Sequence, residues 1–254
     1  MNDRIDIAET FLEKIATHLR AIKQEESAPV EKAAILLADQ IAADRIVHVY
    51  GPGGHSNLAA QEVFFRAGGL MHISAILDEG TLLSNGALRS MAIERTPGYG
   101  RVVIEDYGLT DEDIIIIVNA YGINTATIDA ALTSKERGAR TIGVSSFRHA
   151  EATHPDHPSR HPTKKNLHEI VDVAIDSKVE VGDAVLDIPG APQKIGPMST
   201  FANAFVMNWI VAETVAILQQ RKITPPIWRS GNAPGGDEWN KQFIKDFKRR
   251  IPKL

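Results

Sequence analysis

The residues best suited to chemistry lie in two glycine-rich stretches. The first, His48–Asn57, reads HVYGPGGHSN: an apolar run ends in Gly51, Gly53 and Gly54, then passes through His55 and Ser56 into a helical pattern. Glycine lets a backbone approach a ligand closely, and a helix start presents unpaired N–H groups to an anion. The spacing is not GxGxxG and lacks the lysine of a P-loop, which weakens a nucleotide reading. The second stretch, Asn119–Thr127, reads NAYGINTAT and sets Asn119, Tyr121, Asn124 and Thr125 around Gly122. Ser145 and Ser146 follow a further apolar run. Gly53, His55, Ser56, these second-stretch residues and the serine pair are candidate contacts for a small anionic ligand. The competing reading is a set of tight strand-to-helix turns with ordinary caps.

Cysteine is absent, so disulfides, thiolate nucleophiles and Cys-ligated zinc are excluded, and carboxylates and histidines must carry any acid–base or metal chemistry. Glu62 lies on the helix that follows the first loop, where it points either into a site or into a subunit contact. Glu79, in LDEG, is the competing base, with a solvated loop acid as its alternative. His154, His157 and His161 recur with Asp156 in EATHPDHPSRHPTKK. That cluster is open to three readings: a metal site, an active-site acid at His161, or an exposed loop. Asn208 and Glu213 interrupt the apolar run Phe201–Leu218. A buried polar group needs a partner, so Asn208 either faces the site or bonds within the core, and Glu213 is expected to pair in the core.

The elements that must hold these residues follow from periodicity. Apolar residues at Ile7, Phe11, Ile15 and Leu19 predict a helix from Ile5 to about Ile22, and a second is expected from Val30 to Ala43, with Pro29 between them. After Arg45 the rhythm becomes βα alternation, the pattern of a parallel sheet. The expected strands are Ile46–Tyr50, Leu70–Ile76, Asp113–Val118, Thr141–Val144 and Val171–Ile175. The run Ile114–Val118 is apolar on both faces, as a central parallel strand requires. An irregular stretch containing Gly182, Gly190 and Gly196 precedes a long helix reaching about Arg221. Residues 222–254 are expected to be irregular, because PPIWRSGNAPGGDEW is rich in Pro and Gly. No linker divides the chain, so residues 1–254 read as one domain: a helical pair over 1–44, the sheet and its helices over 45–221, and the tail.

Composition narrows the ligand. With 28 Lys and Arg against 32 Asp and Glu, the formal charge of −4 argues against a nucleic-acid partner. MNDRIDIAET has acids and no apolar h-region, so a cytoplasmic protein without a secretory signal is expected. Phe201–Leu218 reads as a core helix, since its Asn and Glu residues are costly in hydrocarbon, and no membrane partner is expected.

The order of helical pair, glycine loop, second polar loop, serine pair and long final helix resembles the SIS (sugar isomerase) family. FFRAGGL, GPMST and PPIWRSGNAPGGDEWNK are similar to the bacterial UPF0309 group of sugar isomerase domain proteins. The resemblance covers nearly the whole chain. It implies a flavodoxin-like three-layer α/β fold with a five-stranded parallel sheet of order 2-1-3-4-5, and a homodimer or homotetramer with its site near the subunit interface. It also implies a phosphosugar or other anionic sugar as ligand, held by the positions of Asn119, Tyr121, Asn124 and Thr125. Asn119 and Tyr121 depart from the family's usual serines, which opens the site to a carboxylate, a sulfonate or an unphosphorylated sugar. The implied activity is aldose–ketose isomerisation through an enediol, with Glu62, Glu79 and His161 as the acid–base candidates and Asn208 reaching the sugar. Alternatives are an amino-sugar-phosphate lyase or deaminase and a sensor without catalysis. No cofactor is expected.

Overall fold

The structure, a computed structural model, describes residues 6–254. Ile5, where the first helix is expected to begin, lies outside them. Helix α1 (Ile7–Glu25) starts at Asp6, whose carboxylate accepts from the Glu9 amide at 3.0 Å. Helix α2 (Ser27–Ala42) begins earlier than its apolar stripe suggests. Pro29 sits inside its first turn, where a missing N–H costs nothing, and does not separate the two helices.

The parallel sheet has the expected order β2-β1-β3-β4-β5. Its strands are β1 (Val47–Tyr50), β2 (Ile73–Ile76), β3 (Ile114–Val118), β4 (Arg140–Ser145) and β5 (Val173–Asp176). Leu70 makes only an isolated bridge to Ile227, so β2 is shorter than its apolar run. The helices between strands are α3 (Asn57–Val63), α4 (Ala87–Glu94), α5 (Tyr99–Tyr107), α6 (Thr125–Glu136) and α7 (Phe147–Ala152). All five residues of β3 are buried, and its side chains divide between two cores. Ile114, Ile116 and Val118 meet α2, α3 and the long α8 (Ser199–Gln220) on one face. Ile115 and Ile117 meet α5 and α6 on the other.

That division fixes the place of a site. β1 and β3 are neighbours, yet α3 leaves β1 toward one face, burying Ala59, Ala60 and Val63, whereas α6 leaves β3 toward the other, burying Ile128, Ala130 and Ala131. The two helices diverge above the carboxyl ends of their strands and open a crevice between Gly51 and Asn119.

Two features depart from expectation. The stretch after β5 contains a small antiparallel pair, β6 (Ala184–Leu186) and β7 (Ile195–Pro197), which sets Asp183 beside the start of α8. The tail is not irregular throughout: α9 (Gly236–Arg250) is a full helix with Asp237 and Glu238 in its first turn and Lys248, Arg249 and Arg250 in its last. Those charges complement the helix dipole. Met71, Trp228, Phe247 and Ile251 form a separate core beneath it.

α8 is long and apolar enough to cross a membrane by length and composition. It buries Ala202, Val206, Met207 and Ile210 in the main core. Glu213 does not pair as expected: half-buried, it makes no ion pair or side-chain hydrogen bond among the described residues, because it lies within reach of water.

Candidate active site

The crevice at the β1–β3 switch holds two chambers. One, of about 260 Å³, is lined by Gly53, Glu94, Asn119, Tyr121, Asn124 and Asp183. The other, of about 400 Å³, is lined by Gln61, Glu62, Arg66, Asn203 and Ala204 among others. They meet at His55, Ser56, Ala120, Ser199 and Thr200, which line both.

Asn119 joins the two glycine loops. Its Nδ2 donates to the Pro52 carbonyl at 3.0 Å and to Ser56 Oγ at 3.3 Å. Its Oδ1 accepts from the amides of Tyr121 at 3.1 Å and Gly122 at 2.9 Å. Both ends of this amide are engaged within the protein, so Asn119 sets the shape of the site. Gly122 has φ 65°, a left-handed conformation, and a side chain there would meet the Ser145 hydroxyl at 2.5 Å. The Tyr121 ring stacks on His149 with centroids 3.6 Å apart.

Gly53 has φ 133°, and a Cβ at that position would come within 2.9 Å of Glu94 Oε2. The missing side chain is what admits the Glu94 carboxyl to the crevice. Burial raises the Glu94 pKa from 4.5 to about 7, although the charge of Arg95 and the polarity of the Asn119 side-chain amide pull it the other way. Glu94 therefore exchanges a proton near neutral pH, as a general base or acid requires. Nothing in the spacing of the sequence marks it: it is the last residue of the short α4, and only the packing of α4 over the first loop brings it in.

Asp183, also absent from the sequence candidates, has φ 66° and caps α8. Its carboxylate accepts from the amides of Met198 and Ser199 at 2.9 and 2.7 Å and from Ser199 Oγ at 2.7 Å.

The other candidates divide. His55 is exposed at the wall the chambers share, and Ser56 is buried there. Asn124 lines the Glu94 chamber, and Thr125 is buried behind it at the start of α6. Ser145 and Ser146 line neither chamber: Ser145 Oγ is buried without a partner, and Ser146 donates to Val179 at 2.6 Å while capping α7. Glu62 faces the larger chamber and accepts from Asn208 Nδ2 at 3.2 Å, so Asn208 orients Glu62 and does not line the chamber itself. Glu79 is exposed, 3.7 Å from Lys253, and outside both chambers. His161 turns inward, placing Nε2 3.1 Å from Asp129 and Nδ1 2.8 Å from Thr163, while His154 stays exposed. The histidines thus diverge, and among the described residues no group of three His, Asp or Glu side chains could hold a metal ion.

Comparison with known proteins agrees with this architecture. Residues 10–146 match the SIS domain family. A UPF0309 protein of Geobacillus kaustophilus is 35% identical over 244 residues, covering 96% of this chain and 95% of that protein. One of Brucella canis is 33% identical over 249 residues, covering 98% and 99%. Among solved structures, phosphoheptose isomerase from Neisseria gonorrhoeae superposes with a TM-score of 0.54 at 14% identity, over 84% of this chain and 97% of that one. A phosphoheptose isomerase from Francisella tularensis gives 0.52 at 12% identity, over 82% and 96%. At such identities the likeness speaks for the fold. The matched residues span both glycine loops, and the relatives align over nearly their whole length: this chain belongs to the SIS domain family.

Proposed function

We propose that the protein is a cytoplasmic sugar isomerase that interconverts an aldose and a ketose carrying an anionic group, with Glu94 as the base. The observation that carries this reading is the Glu94 carboxyl, set against Gly53 at the switch point with a pKa of about 7. In the open-chain aldose, Glu94 takes the proton from C2 while the C1 carbonyl oxygen gains one, which forms the enediol. The proton then returns from Glu94 to C1 as the C2 hydroxyl gives up its own, and the ketose results with no net redox change. His55, on the shared wall, is placed to exchange protons with the sugar oxygens. Leu58 and Phe201, apolar and exposed near this crevice, support assembly into a homodimer or homotetramer.

Product analysis over a panel of aldoses, their phosphates and their acids tests the reading. The expected result is a new ketose or aldose of unchanged mass. Ammonia or ether-cleavage products would replace it with a deaminase or lyase, and binding without turnover would replace it with a sensor. Glu79 stands apart from the chambers, so Glu79→Gln should leave kcat and KM within about twofold of the parent, as steady-state kinetics on the active sugar will check.

A further inference from the structure

Resting on the reading of Glu94 as the base, we propose that Ser90 and Asn57, joined on the Thr81 carbonyl, are positioning residues that hold the Glu94 carboxyl against Gly53.

Apolar contact anchors α4 poorly. Ser90, 2% exposed, is its one buried residue, and among the described residues none of its side chains belongs to a hydrophobic core. Leu88 and Met91 face water instead. The Ser90 hydroxyl supplies a polar anchor in their place, donating to the Thr81 carbonyl at 2.7 Å. Glu94 follows one helical turn later on the same face, so the bond that fixes Ser90 also fixes where Glu94 emerges.

The same carbonyl accepts a second bond. Asn57, fully buried at the start of α3, directs Nδ2 to the Thr81 carbonyl at 3.3 Å and to the Gly53 carbonyl at 2.8 Å. The contacts close into a ring: Gly53 to Asn57, Asn57 to Thr81, Thr81 to Ser90, and along α4 to Glu94, which returns to the space a Gly53 side chain would take. Thr81 is itself held fast. Its amide and hydroxyl donate to Asp78 Oδ2 at 3.1 and 3.2 Å, and Tyr99 Oη donates to Asp78 Oδ1 at 2.9 Å. Asn57 Oδ1 is buried without a partner, which lowers stability; the use of this residue lies in the two carbonyls its Nδ2 joins.

Burial is what lifts the Glu94 pKa, so the ring has an electrostatic consequence. Arg95, Tyr50 and Tyr121 act on the Glu94 charge, and Asp183 lines the same chamber. None of these groups is bonded to Ser90 or Asn57 among the described residues. Loss of the Ser90 anchor therefore acts on Glu94 by admitting water, which lowers its pKa.

Titration of the Glu94 carboxyl by carbon NMR, in protein labelled at the glutamate side-chain carboxyl carbon, tests this without turnover. Glu94→Gln identifies the signal, and the parent should titrate at about 7. Ser90→Ala removes one oxygen atom and should fold. Its Glu94 midpoint should fall by about one pH unit or more, and its kcat by about tenfold with KM within about twofold of the parent. Ser90→Cys, whose thiol is a weak donor, should move both the same way and serves if Ser90→Ala does not fold. Leu88→Ala, on the exposed side of α4, should move neither. The proposal is overturned if the parent carboxyl already titrates near 4.5, if Ser90→Ala titrates Glu94 as the parent does, or if Leu88→Ala shifts it as far. A lowered midpoint in Ser90→Ala of a protein that converts no sugar, or one whose Glu94→Gln variant keeps full turnover, would reject the base reading and leave the ring standing. Turnover lost in Glu94→Gln with an unshifted midpoint in Ser90→Ala would do the reverse.

Discussion

Replacing Glu94 with glutamine should lower kcat by about a thousandfold while leaving sugar binding nearly unchanged, because the amide keeps the shape of the carboxyl and loses its ability to take a proton. The same substitution should stabilise the fold in a pH-dependent way. The folded-state pKa is about 7 against an ordinary 4.5, so between those values the folded protein holds a proton that the unfolded chain has released. Stability contributed at this position is therefore lost as pH rises from about 4.5 through about 7. Glutamine cannot ionise, so Glu94→Gln should gain on the order of 2 kcal/mol over the parent at about pH 8 and nothing at about pH 4. Urea titrations at the two pH values will read this directly. A purely structural Glu94 would give no thousandfold loss in rate, and a solvated one would give no difference between the two pH values.

Gly51→Ala should be the most disruptive single methyl in the crevice. Its Cβ would lie 2.0 Å from the Ser56 carbonyl oxygen, 2.4 Å from the Ser56 carbonyl carbon and 2.8 Å from the Asn57 nitrogen. All three are backbone atoms of the turn into α3, so no side chain can step aside. The turn must open, taking with it the Gly53–Glu94 contact and the Asn119 bonds to Pro52 and Ser56. The expected cost is about 3 kcal/mol or more, with activity reduced at least about a hundredfold. Gly54→Ala supplies the comparison. Its Cβ also meets a close neighbour, at 2.4 Å, but that neighbour is a Leu83 methyl group on a half-exposed side chain that can rotate away. The denaturation midpoint of Gly51→Ala should fall much further than that of Gly54→Ala.

Much of this architecture was written in apolar patterning. Ile114–Val118 announced a central strand because burial on both faces removes alternation, and the five strands fell within a few residues of their expected places. β6 and β7 carry almost no periodic signal, because each is three residues long and β7 contains Gly196 and Pro197. α9 was hidden by the Pro and Gly residues just before it, although the acids of GDEW and the closing basic run KRR mark its two ends. The candidate site divides in the same way. Loop residues that follow a strand, from Gly53 to Ser56 and from Asn119 to Asn124, were legible because position along the chain places them at the sheet's edge. Glu94, Asp183 and Arg66 were not, since each reaches the crevice only through tertiary packing. Glu79 and His161 carried suitable chemistry at suitable points of the sequence. Folding turns the first toward Lys253 and the second toward Asp129.

The most direct test of the central claim is deuterium wash-in at sugar C2 in heavy water, followed by NMR across pH for the parent protein and Glu94→Gln. The parent should exchange the C2 hydrogen as it interconverts aldose and ketose, with a rate that falls as pH drops below about 7, where the Glu94 carboxylate is protonated. Glu94→Gln should exchange at a background rate at every pH. Equal wash-in by the two proteins, or a parent rate that does not change through neutral pH, would contradict Glu94 as the proton-transferring group.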